Sequence, residues 1–167
     1  MASFALHSRI AGLILAVCVI TTFSSHAFAQ GPNPLIGSWI TNIPKSTYSP
    51  GPPPKSPATR TFTQNGDGLK FVRTGGHSAD GNALTPISWA AHFDGKDYPI
   101  VGNPRVDMVT ITMTDASTLE VISKKGGKVT DTSRYAVSKD RKTISWVTTA
   151  TNAAGLPVRD MVVLDKQ

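Results

Sequence analysis

Beyond its first 29 residues the 167-residue chain contains no cysteine, and the only thiol, Cys18, sits in an apolar run near the amino terminus. Disulfides, thiol nucleophiles and thiolate metal sites are therefore excluded from the remainder, which a hydrophobic core alone must hold. Acidic residues are few: Asp and Glu total 11 against 17 Lys and Arg, and Glu120 is the sole glutamate, with no acid–base partner in sight. Aromatic residues make up only 7%, whereas a nucleic-acid surface wants stacking aromatics interleaved with its basic residues, which argues against one. No apolar run reaches the roughly 20 residues that a membrane-crossing helix needs. No serine lies in a G-x-S-x-G elbow. His77, in GGHSADGN, and His92 each lack a second histidine or cysteine at metal-ligand spacing. No catalytic residue, metal or cofactor is assigned, and His92 would matter to haem only if it pointed into a cavity.

The amino terminus has a short basic n-region with Arg9, an apolar stretch from Ile10 to Ile20, and a polar segment ending Ala27-Phe28-Ala29. That layout is a secretory signal peptide with an A-x-A cleavage site, so residues 1–29 are expected to leave and the product to be periplasmic or extracellular in a bacterium. The mature chain is then one domain, monomeric and without a transmembrane segment. Residues 30–57 supply a first strand and a proline-rich loop, and residues 58–167 the rest. The net charge of +6 falls only to +5 with the loss of Arg9. Lys124, Lys125 and Lys128 surround Gly126-Gly127, and Lys139, Arg141 and Lys142 crowd the next turn. Basic turns of this kind are solvated loops that guard strand ends against edge pairing.

Residues 43–57, IPKSTYSPGPPPKSP, are too rich in proline for a helix and read as an extended, polyproline-like connection. From residue 58 the chain alternates short β-prone runs with breakers. ATRTFTQ and LKFVRTG flank Asn65-Gly66-Asp67-Gly68, a strong hairpin signal. ISWAAHF, YPIV, DMVTITMT, TLEVISK, KVTDTSRYAVS, TISWVTTAT and PVRDMVVLDK follow, each closed by a turn. Asp94 and Asp97 flank one of these turns, where aspartate bonds its own backbone. Within the runs the period is two. Val109, Ile111 and Met113 oppose Thr110, Thr112 and Thr114; Ile87, Trp89, Ala91 and Phe93 share a face; Ile144 and Trp146 share another. About ten evenly spaced strands predict an antiparallel barrel or sandwich.

KVTDTSRYAV breaks the pattern. Val129, Asp131, Ser133, Tyr135 and Val137 share one face, and Thr130, Thr132, Arg134 and Ala136 the other. Polar groups pointing inward need partners or a hydrated cavity. This strand therefore lines a pocket, or else it is an edge strand wet on both faces.

Gly37-Ser38-Trp39 on the first strand, the chain length, the successive hairpins and the ending Val162-Val163-Leu164-Asp165-Lys166-Gln167 resemble the calycin barrels, the lipocalins and fatty-acid-binding proteins. The whole chain is also similar to small exported bacterial proteins in which runs like DGKDYPIVGNP and tails like TNAAGLPV…DKQ recur. The resemblance implies that Gly37 permits close backbone approach and that Trp39 plugs one barrel end. It also sets two departures. The Arg-x-Tyr carboxylate clamp on the last strand of fatty-acid-binding proteins is replaced by Val162 and Leu164, and the helical lid by the proline-rich loop. Arg134 and Tyr135 are adjacent, hence on opposite faces, and cannot substitute for the clamp.

The expectation is an all-β, up-and-down antiparallel barrel of 8–10 strands, not an enzyme, binding a small apolar ligand non-covalently. Trp89, Ile111, Asp131, Tyr135 and Trp146 are the candidate lining residues. The alternative is a cell-envelope structural or interaction module with a filled core.

Overall fold

The structure, a computed structural model, describes residues 32–152 and 155–167. The signal segment and its cleavage site lie outside the described residues. Those residues form ten strands and no helix: β1 (Gly37–Thr47), β2 (Thr59–Asn65), β3 (Gly68–Thr74), β4 (Ile87–His92), β5 (Tyr98–Val101), β6 (Met108–Asp115), β7 (Thr118–Lys125), β8 (Lys128–Val137), β9 (Thr143–Thr151) and β10 (Pro157–Lys166). Each strand pairs antiparallel with its neighbour in sequence, and β1 pairs with β10 to close the barrel. Closure removes the exposed edges that an open sheet would have to protect. The Trp39↔Lys166 to Asn42↔Val163 register of that seam uses the tail that resembles the calycin last strand.

Alternation places the inward set as the sequence predicts. Val109 and Ile111 are buried on β6, Trp89 and Ala91 on β4, and Ile144 on β9. At one end Leu35, Trp39, Phe62, Leu69, Ile111, Leu119, Ile144 and Leu164 are fully buried and fill the interior. The Trp39 indole N–H donates to the Leu35 carbonyl at 2.8 Å, so the plug has its polar atom satisfied. Lys166 Nζ covers the outer side of the ring at 5.2 Å from its centroid.

Three expectations need correction. Gly37 is demanded by its backbone, at φ +133°, and not by close backbone approach; the nearest atom to an added Cβ would be Lys166 Cε at 3.4 Å. The close approach is at Gly68, where a Cβ would stand 1.9 Å from the Ala91 carbonyl oxygen. The proline-rich connection starts later than its composition suggests, because residues 43–47 continue β1. Pro44 is tolerated there because the β1–β10 register shifts between Asn42 and Thr47 and the β1–β2 ladder has ended at Ile40↔Thr59. Finally, β8 is no edge. It pairs with β7 along one side and β9 along the other, so only one of its faces can be wet from outside.

Candidate functional site

The filled half of the barrel stops at a layer of aromatic rings. Phe62 packs beneath Phe71 (centroids 5.1 Å) and meets Tyr135 edge-on at 5.7 Å. Above it Phe71 stacks on Trp89 at 5.2 Å, and Tyr135 on Trp146 at 5.5 Å. Beyond that layer the inward positions of β7–β10 turn small or polar: Ser123, Asp131, Ser133, Thr148, Ala150 and Asp160. Short side chains cannot meet across the barrel, and a cavity of about 860 Å³ results, open at the end where the β7–β8 and β9–β10 turns lie. That volume falls within the range typical of small-molecule sites, roughly 300–1,000 Å³.

β8 settles its own orientation. Ser133 and Tyr135 are buried, Asp131 lines the cavity, and Arg134 is exposed. The Ser133 and Thr148 hydroxyls bond across strands at 2.8 Å, which satisfies one polar pair of the wall. Trp89, Asp131, Tyr135 and Trp146 of the sequence-derived set all line the cavity. Ile111 does not. It is 0% exposed in the filled half, below the residues that line the cavity. His92 is also outside: its Nδ1 pairs with Asp67 across the β2–β3 turn, and its ring packs on Tyr98, so the geometry that would have favoured haem is not met. Asp94 plays its expected turn role by accepting from the Lys96 N–H at 3.1 Å. Asp97 instead ties β6 and β7, accepting from Thr110 and from Lys124 Nζ, so part of the basic turn is neutralised within the fold.

Sequence reasoning missed two arginines that line the cavity. Arg60 on β2 is 6% exposed. Its Nη1 donates to Thr41 Oγ1 at 2.7 Å, and its guanidinium lies 4.4 Å over the Trp146 ring. Arg73 on β3 stands directly across from it in the ladder, with Nη2 donating to the Thr85 carbonyl at 2.8 Å. Burial lowers the pKa of both guanidiniums, and Tyr135 partly offsets this. Both nevertheless stay charged, since free arginine titrates above 12. Burial pushes the Tyr135 phenol up to about 12, against the pull of Arg60 and Arg73. A signal for the pair existed in the sequence: Arg60 is two residues before Phe62 and Arg73 two after Phe71, which puts each on the apolar face of its strand.

No family model matches the chain, and no curated protein matches it. Among solved structures, zebrafish ileal bile acid-binding protein complexed with cholic acid superposes with a TM-score of 0.52 at 15% identity, over 80% of this chain and 99% of that one. Rv2717c from M. tuberculosis superposes with a TM-score of 0.50, also at 15% identity, over 80% of this chain and 93% of that one. The fold is a closed antiparallel barrel of calycin-like shape. On its last strand Val162 and Leu164, the positions at which the sequence departs from an Arg-x-Tyr pair, are both buried and apolar. Arg60 and Arg73 stand instead on the β2–β3 hairpin, on the other side of β1 from the last strand.

Proposed function

We propose that the protein is exported and binds a small, mostly apolar molecule non-covalently inside the barrel, as a monomer and without catalysing a reaction. The observation that carries this reading is the cavity: about 860 Å³, walled by Phe71, Trp89, Val109, Val121, Tyr135 and Trp146, with a few polar groups among them. Apolar walls supply affinity and sparse polar groups supply orientation. A cell-envelope module with a filled core would need the open half packed as tightly as the Trp39 end, and the small residues of β8–β10 run against that.

Non-denaturing mass spectrometry of the protein isolated from its native host tests the reading. The expected result is a bound mass that organic solvent releases. An apo mass alone, together with no change in tryptophan emission on titration with apolar probes, would refute it. Export has its own check: the recovered protein should begin at Gln30. Full-length chain retained in the cytoplasm would contradict the proposed address.

A further inference from the structure

We propose that the ligand is an amphiphilic organic anion whose oxyanion head seats between Arg60 and Arg73, its apolar body running along the aromatic wall toward the open end. The inference deepens the interior-binding reading and rests on it.

Arg60 and Arg73 are directly opposed in the β2–β3 ladder and both face the interior. Like charges at directly opposed positions repel, and the burial of Arg60 removes water that would screen it from the half-buried Arg73. Such a pair is ordinarily relieved by a carboxylate. Here no ion pair among the described residues involves an arginine. Two carboxylates do line the cavity, but neither Asp131 nor Asp160 comes within ion-pair distance of an arginine; Asp131 accepts from Thr130 Oγ1 at 3.2 Å, and Asp160 from the Ser49 N–H at 3.1 Å. Tyr135 cannot serve as the counter-charge, because its phenol stays protonated at neutral pH. What the site offers is donors. Arg73 Nε and Trp146 Nε1 are buried with no hydrogen-bond partner within the chain, and unmet buried donors are costly unless something accepts from them. Two guanidiniums facing one cavity suit a carboxylate, sulfate, sulfonate or phosphate. Arg105, exposed at the rim of the same cavity, extends the positive field toward the entrance.

The test uses two fluorescent probes with the same apolar body, anilinonaphthalene sulfonate and the uncharged N-phenyl-naphthylamine. The wild-type protein should bind the sulfonate at least tenfold more tightly, given the usual strength of hydrogen bonds to charged groups. Arg73→Met and Arg60→Met should each erase that preference by weakening the sulfonate at least roughly tenfold more than the neutral probe. Arg73→Lys should restore part of it. If either methionine variant fails to fold, the wild-type protein decides alone: decanoate, decyl sulfate and decyl phosphate should displace the sulfonate probe, and decanol should do so at least roughly tenfold less well. The order of those three names the head group. Binding of neither probe would sink the interior-binding reading itself. Equal binding of both, or tighter binding of the neutral one, would leave that reading standing and overturn the anion inference. An anion preference that survives both methionine substitutions would also overturn it.

Discussion

Tyr135 is where the cost of placing polar groups in this barrel can be measured. The residue is buried in the cavity wall, and burial raises its pKa from the ordinary 10 to about 12. Between those values the unfolded chain has lost the phenolic proton and the folded chain keeps it. Its contribution is therefore complete below pH 10 and disappears as pH rises through about 12. We expect alkaline unfolding of the wild type to be steeper than that of Tyr135→Phe across that window. The difference should reach up to roughly 3 kcal/mol, read from urea midpoints as a function of pH. Parallel curves would show that the phenol is better solvated than its position indicates. The arginines illustrate a different lesson at this scale. Trp89, Asp131, Tyr135 and Trp146 were legible because aromatic or polar residues stood out against a period of two. Arg60 and Arg73 were not, because a basic residue in a hairpin strand reads as a solvated one until its face is compared with that of Phe62 and Phe71.

Among the elements, the β2–β3 hairpin and β8 do most to shape the site. The hairpin was readable from Asn65-Gly66-Asp67-Gly68, but the reason for its last glycine was not. Gly68 lies against β4 so closely that any Cβ would overlap the Ala91 carbonyl. Gly68→Ala should therefore destabilise the protein by more than about 3 kcal/mol, as backbone must move on one side. A urea midpoint close to wild type would disprove that contact. β8 could be read only as pocket wall or edge strand, since its alternation is the same in both cases. Pairing on both sides removed the ambiguity, because a strand inside a closed sheet has one face that water reaches only through the cavity.

At the scale of the whole molecule the barrel divides into a filled half and an open half, and substitutions should separate them. Ile111→Ala removes a fully buried side chain from the filled half and should cost about 2–5 kcal/mol, with probe affinity unchanged. Ala150→Trp places a large ring in the open half, where Ala150 lines the cavity. It should abolish probe binding with little loss of stability, because the ring fills empty space. The reverse pattern, with Ile111→Ala impairing binding and Ala150→Trp leaving it intact, would mean that the cavity is not the binding site. Closure has a test of its own. Leu164, fully buried on β10 beside the β1 seam, should cost a similar 2–5 kcal/mol as Leu164→Ala, measured by thermal or urea unfolding.

The sequence by itself determined the all-β class, the strand spacing and the facing of most side chains. All of these follow from local rules of period, turn chemistry and residue size. Only the tertiary structure decided that Ile111 lies below the cavity lining, that Gly37 answers to its own φ, and that Arg60 faces Arg73 across a ladder with no ion pair to either. The physical reason is the same in each case. Alternation states which way a side chain points but not how far along the barrel axis it sits, and depth depends on strand registers that only closure fixes.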